Sequence, residues 1–136
     1  MDDQTIRQSL ASNEFAAFFK GEGGQSTRFA VAYLDDENRA IFNCQSNVVW
    51  LSRHSLDEHK VRHPEVTIED YRVIPDIVQN SQVWHGTGTN RYLLLWICGK
   101  PYRAAIKTDA QRAEAWFLSL MINTKQKPPK GAVRIR

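Results

Sequence analysis

Residues 91–122, RYLLLWICGKPYRAAIKTDAQRAEAWFLSLMI, decide the fold. Three apolar runs rich in aromatic and β-branched residues, Arg91–Cys98, Tyr102–Thr108 and Ala115–Ile122, are separated by a Gly99–Lys100 turn and a polar turn near Ala110–Arg112. Runs of this length, punctuated by turn residues, read as strands joined antiparallel in a meander. Side chains two apart on a strand share a face. Tyr102, Ala104 and Ile106 therefore form the core side of the middle strand, and Arg103, Ala105 and Lys107 face away. On the last strand Trp116, Leu118 and Leu120 are expected to join that core, with Phe117, Ser119 and Met121 opposite. Any register whose paired numbers sum to an even value, such as 222, gathers Arg103, Lys107 and Ser119 on one face, with Arg103 about opposite Ser119. Two cations and a hydroxyl beside small or flat apolar side chains suit a phosphate flanked by a stacked base. An exposed sheet face with ordinary salt-bridging cations has the same pattern.

Working outward, residues 4–19 read as one amphipathic helix, with Ile6, Leu10, Ala17 and the Phe15/Phe18/Phe19 cluster at three- and four-residue steps, stopped by the glycines of GEGG. Thr27–Leu34 alternates with period two, DDEN at 35–38 offers turn chemistry, and Arg39–Asn43 reads as the returning strand of a β-hairpin. Val48–Leu51 is a third short apolar run. Ser55 with Glu58, and Thr67 with Asp70, have capping-box spacing and open two helices of a helical hairpin. The first ends before Pro64, and Pro75 kinks or restarts the second. HGTGTN at 85–90 lacks the spacing and the following helix of a phosphate loop and reads as a turn. The order predicts an α+β fold, helices packed on one face of an antiparallel sheet of about four strands. One domain over residues 1–124 and a basic tail over 125–136, KQKPPKGAVRIR, outside the core, complete the expected organisation.

The 136 residues, 42% hydrophobic and 24% charged, suffice for one core without disulfides or metal. No apolar stretch approaches the ~20 residues of a membrane helix, and the N-terminus lacks the basic-then-apolar pattern of a signal peptide, so a cytoplasmic protein without a membrane partner is expected. Cys44 and Cys98 lack metal-knuckle spacing and are expected to be buried thiols. Charge is unevenly spread. Residues 1–90 carry 8 Lys+Arg against 13 Asp+Glu, and residues 91–136 carry 10 against 2. A basic C-terminal third points to a polyanion, nucleic acid before acidic membrane, or to a solubilising surface.

Three of the four histidines, His54, His59 and His63, lie within ten residues. The i, i+4 spacing of His59 and His63 can hold zinc, but no nearby carboxylate or thiol completes a ligand set, and neither metal nor cofactor is expected. A histidine serving as general acid or base is one alternative, and His63, fixed before Pro64, is its best candidate. Histidines capping or lining a helical hairpin are the other.

The runs LSRHSLDEHKVRHPEVTIEDYRVIPDIV, YLLLWICGKPYRAAIKTD and AWFLSLM, over residues 50–122, resemble the phage-associated branch of the barnase, EndoU, colicin and RelE-like nuclease superfamily. Residues 1–45 resemble nothing in it. The resemblance implies helices against a four-stranded antiparallel sheet and a metal-independent endoribonuclease. It implies His63 as acid/base, Arg103 and Lys107 on the phosphoryl oxygens, and Thr108 and Ser119 as phosphate hydrogen-bond donors. Asp109 and Ser119 depart from the hydroxyl or glycine and the threonine common in relatives. RNA, with tRNA among the candidates, is the implied substrate, and Arg91, Lys100, Lys125, Lys127 and Lys130 of the basic C-terminal third are expected as further nucleic-acid contacts. A cognate immunity protein and phage structural proteins are the implied protein partners, with virion association or delivery into a host cell as the implied setting. A non-catalytic nucleic-acid-binding or virion-assembly module on the same fold, and an inhibitor-type protein working through the acidic first half, are the competing readings.

Overall fold

The chain begins with two short helices set by their caps. In the computed structural model, which describes residues 1–22 and 27–136, the Asp2 carboxylate accepts from Thr5 N–H at 2.8 Å and opens α1 (Asp3–Leu10). Ser12 Oγ accepts from Glu14 N–H at 3.2 Å and opens α2 (Asn13–Lys20). The expected single helix over 4–19 is thus broken at Ala11–Ser12, because a serine at an N-cap satisfies amide groups that a continuous helix would leave no reason to free. Gly21, at φ 79°, ends α2 in the left-handed conformation open to glycine. The further glycines of GEGG, Gly23 and Gly24, lie outside the described residues.

The strand β1 (Arg28–Tyr33) forms as expected, but its partner does not follow at once. The Asp35 carboxylate accepts from Asn38 N–H at 2.9 Å, so DDEN starts a helix, α3 (Asp36–Phe42), where a hairpin turn and returning strand were expected. β1 pairs instead with β2 (Val48–Ser52). Ser52, three residues before the expected cap at Ser55, accepts from Ser55 N–H and opens α4 (Arg53–Arg62), which ends at His63 before Pro64. Thr67 and Asp70 make the expected reciprocal capping box of α5 (Ile68–Tyr71), and Pro75 lies in the first turn of α6 (Ile74–Asn80).

Seven strands follow the order β1-β2-β6-β5-β4-β3-β7, with β3 (Gln82–His85), β4 (Asn90–Ile97), β5 (Lys100–Thr108), β6 (Ala115–Ile122) and β7 (Val133–Arg134). The meander β4-β5-β6 is as expected. The sheet is mixed, because β2 runs parallel to β6, which replaces the expected all-antiparallel sheet of about four strands within the α+β class. Helix residues Ile6, Leu10, Phe15, Phe18, Phe42, Leu56, Ile74 and Ile77 share one buried cluster with Val49, Leu51, Val83, Leu93, Tyr102, Ala104, Ile106, Phe117 and Leu120. The helices therefore cover one face of the sheet. No helix among the described residues is long and apolar enough to cross a membrane.

The basic tail is tied down at its end, contrary to the expectation that it lies apart. Val133 and Arg134 pair with His85 and Trp84. Arg136 donates to the Ser81 and Val78 carbonyls at 3.1 and 2.8 Å and to Asn38 Oδ1 at 2.8 Å, and burial lowers its pKa from the ordinary arginine value. Cys44 is buried, as expected, whereas Cys98 is exposed in the β4–β5 turn.

Candidate nucleic-acid interface

The face turned away from the helices is defined by register. Directly paired residues point to the same side of a sheet, and the pairs Ala30↔Trp50, Trp50↔Trp116, Lys107↔Trp116 and Asn90↔Lys107 draw one row across five strands. A second row runs Ser119, Ala105, Tyr92, Trp84 and Arg134. A third runs Met121, Arg103, Leu94 and Gln82. Beyond them Trp96 pairs with Pro101 and is 60% exposed. All four tryptophans of the chain stand on this face with Tyr92 between them, and Ala105 and Ser119 form a low floor.

The local reason is a bulge. Tyr102 to Ala105 pair with Ile122 to Ser119, the even-sum register that keeps Arg103 and Ser119 on one side, and Arg103 stands opposite Met121. After Ala105 the register slips by one, so Ile106 faces Phe117 and Lys107 faces Trp116. An extra residue in one strand reverses the parity beyond it. Phe117 therefore turns into the core and Trp116 out of it, the reverse of the expectation, while Leu120 stays inside and Leu118 is half-buried at the bulge.

Electrostatics favour an anion here. The strands carry no acidic residue at all; every aspartate and glutamate of the chain lies on a helix or in a loop. Lys107 is exposed and Arg103 half-buried, and neither takes part in an ion pair among the described residues, with Arg103 Cζ 5.9 Å from the Tyr92 ring centroid. The Arg28 guanidinium lies 3.9 Å over the Trp50 ring. Gly86 keeps the β3–β4 hairpin closed over Tyr92, since a Cβ there would overlap the Cε2 edge of the ring.

The other expected site residues separate. Thr108 points into the core, where its hydroxyl donates to the Phe42 carbonyl at 2.7 Å, so it cannot share a phosphate with Lys107. Arg91 is also buried on the helix side, with Nε on the Ile41 carbonyl at 3.0 Å, and burial lowers its pKa; it holds α3 in place of a nucleic acid. Lys100 is paired with Asp70 at 2.8 Å. Burial works against the charge on Asp70, but donors from Lys100, Tyr102 and Thr67 outweigh it and hold the carboxyl below its usual value. Lys125, Lys127 and Lys130 are exposed in the tail.

His63, at the end of α4, has Glu65 as hydrogen-bond partner at 3.3 Å and the His59 ring at 4.9 Å. No hydrogen bond, ion pair or ring contact among the described residues joins it to Arg103, Lys107, Thr108 or Ser119. His59 is the buried member of the pair. Its Nε2 lies 3.1 Å from Leu120 N–H, where β6 has run past the end of β2, and its Nδ1 lies 2.6 Å from the Tyr71 hydroxyl. Burial, with His63 beside it, lowers the His59 pKa, and burial raises that of Tyr71.

Parity applied to β5 and β6 alone found Arg103, Lys107 and Ser119. The same parity on β4 marks Tyr92 and Trp96. Trp84 escaped because β3 is only four residues long, and Trp50 because a short apolar run does not say which side is buried. In comparisons with known proteins, no family model, no curated protein and no solved structure matches this chain.

Proposed function

We propose that this chain binds single-stranded RNA across the helix-free face of its sheet, its bases stacking on Trp116, Tyr92, Trp84 and Trp96 and its phosphates meeting Lys107, Arg103 and Arg134. One observation carries the reading: four tryptophans and a tyrosine share a face with cations, on strands that carry no carboxylate. Aromatic side chains are normally spent in the core. A soluble sheet that instead presents them in rows, beside unpaired cations, offers the π-faces and charges that unstacked bases and their phosphates require. A duplex hides its base faces, so single strands are the better fit.

The barnase-like fold and its chemistry are not needed for this reading. The contacts of His63 are Glu65 and the His59 ring, and no hydrogen bond or ion pair among the described residues joins it to Arg103 or Lys107. The test is titration of an internally labelled RNA decamer, a DNA decamer and an RNA duplex, followed by anisotropy and by tryptophan fluorescence. Single strands should bind and quench the emission. Trp116→Ala or Tyr92→Ala should each weaken binding about fivefold or more, the equivalent of losing one stacked base at about 1–3 kcal/mol. Undiminished binding in both variants would sink the proposal. Incubation in EDTA is run alongside, and cleavage leaving cyclic phosphate ends, abolished in His63→Ala and Lys107→Ala, would turn the reading into that of a transesterase.

A further inference from the structure

The chain between β6 and β7 is too short to go round the sheet. At one end Asn123 N–H donates to the Pro101 carbonyl at 2.7 Å, beside β5. At the other, Val133 pairs with His85, level with Arg91 and Ile106. Four strand spacings and five residues of strand length separate these points, about 19 Å across and about 17 Å along, or about 25 Å directly. The chain between them contains two turns, closed by Gln126 N–H on the Asn123 carbonyl and Ala132 N–H on the Pro129 carbonyl. Each turn brings its ends within about 7 Å, which limits the whole segment to a reach of about 28 Å. Passing round the strand ends takes about 36 Å at the same spacings, so the segment crosses the sheet. Helices cover the other face, and the crossing is on the aromatic one. The direct line passes over Arg103, Leu94 and Trp84. Leu94 shows the cover: it lies outside the cluster beneath the helices and is 4% exposed, while Trp96, two residues along the same face, is 60% exposed. In the segment itself Gln126, Pro128, Pro129 and Ala132 are half-buried and Lys125, Lys127 and Lys130 exposed, as in a strip lying on a surface. Proline has no N–H to leave unpaired there, and proline-rich segments dock on aromatic surfaces.

We propose that residues 124–132 are a strap that occupies the middle of the aromatic face in the free protein and lifts when a single strand binds. The inference rests on the RNA-binding reading above and gives that site its regulation. With the strap down, Trp116 and Lys107 lie to one side of it and Trp96 to the other, and Trp84 lies beneath. A strand cannot then run from Tyr92 to Trp96. Little holds the strap in place. Gln126 Nε2 donates to the Tyr102 carbonyl at 3.0 Å at its start, and β7 beyond it is two residues long. After β7, Ile135 and Arg136 N–H donate to the Val83 carbonyl, and the Arg136 guanidinium sits on the Ser81 and Val78 carbonyls and Asn38. Arg136 is thus the latch. The strap's lysines face outward, so an arriving phosphate chain meets them before it reaches the rings. A face covered by its own chain binds more weakly by the fraction of time it is covered.

The experiment is amide hydrogen exchange on the full chain, free and saturated with the RNA decamer, together with decamer titration of Arg136→Ala below its melting temperature. Bound RNA should speed exchange at Ile135 and Arg136 about tenfold or more, since lifting the strap frees their bonds to Val83. Arg136→Ala should bind the decamer about fivefold tighter than the wild type, the gain expected from a face that is covered most of the time. Exchange at Ile135 and Arg136 that is unchanged or slowed at saturation would overturn the inference and leave the aromatic face as a binding site. An Arg136→Ala protein that is folded and binds no tighter would overturn it too. Binding by Arg136→Ala alone would support a strap that is firmly closed. Failure of both proteins to bind would overturn the RNA-binding reading, and this inference with it.

Discussion

The tautomer of His59 follows from its partners. A backbone N–H only donates, so Leu120 makes Nε2 an acceptor, and the neutral ring carries its proton on Nδ1, facing the Tyr71 oxygen. A second proton would have to displace Leu120. Burial lowers the ring's pKa, His63 and Arg62 act in the same direction, and Glu65 opposes them. With the folded pKa below the unfolded value of about 6.5, the unfolded chain binds more protons just under that pH. The stability this ring contributes is complete above about pH 6.5 and is lost as pH falls toward the folded pKa. Melting temperature should therefore drop between about pH 7 and 5 in the wild type and less in His59→Gln, whose amide oxygen can still accept from Leu120. Equal drops would remove His59 from the effect. Thr108 and Lys107, neighbours in sequence on opposite faces, make a second contrast. Thr108→Val strips the donor from the buried Phe42 carbonyl and should cost about 1–2 kcal/mol of stability in denaturant titration with RNA affinity intact. Lys107→Ala should do the reverse. Of the residues named from sequence for phosphate binding, parity placed Arg103, Lys107 and Ser119 together and sets Thr108 on the side of Tyr102, Ala104 and Ile106, against the role the resemblance implied; the hold of Thr108 and Arg91 on Phe42 and Ile41 was hidden because those two lie in a segment read as a strand.

Elements were legible where several residues agreed and misread where one residue had two uses. The meander, the Thr67–Asp70 box and the stop before Pro64 each rest on agreeing signals, and all three are present. DDEN serves equally as a turn and as an N-cap with acidic first-turn residues, and the amphipathic run that follows chose the helix. Ser12 caps a helix inside a segment read as continuous, and Ser52 takes the cap expected at Ser55, since capping depends on where the backbone bends and not on the serine alone. The bulge in β6 left no mark in the sequence, and with it went the orientation of Trp116 and Phe117. The β3–β4 hairpin allows a test at this scale. Gly86→Ala should push the Tyr92 ring from its place and weaken RNA binding severalfold while circular dichroism stays that of the wild type, and unchanged affinity would mean Tyr92 does not touch the strand.

For the molecule as a whole, the tail joins two roles that sequence kept apart. Its lysines are exposed, and its last residue is an anchor reaching α3, α6 and Ser81. Substituting Lys125, Lys127 and Lys130 by alanine should lower the dependence of log affinity on log salt by up to about 2, at ~0.7 for each phosphate the tail no longer neutralises, with the melting temperature unchanged. Arg136→Ala should lower the melting temperature and leave the salt slope alone. A salt slope unmoved by the triple change would take the tail out of the interface. The fold class was readable because helices and strands alternate in blocks. The seven-stranded order was not, because the parallel pairing of β2 with β6 joins segments more than sixty residues apart. That every carboxylate sits off the strands has a kinetic consequence. The sheet face carries Lys107, Arg103 and Arg134 and its strands carry no carboxylate, so long-range attraction favours a polyanion's approach to that face. Added salt should then slow arrival far more than it hastens departure, because arrival is governed by long-range charge and residence by the rings.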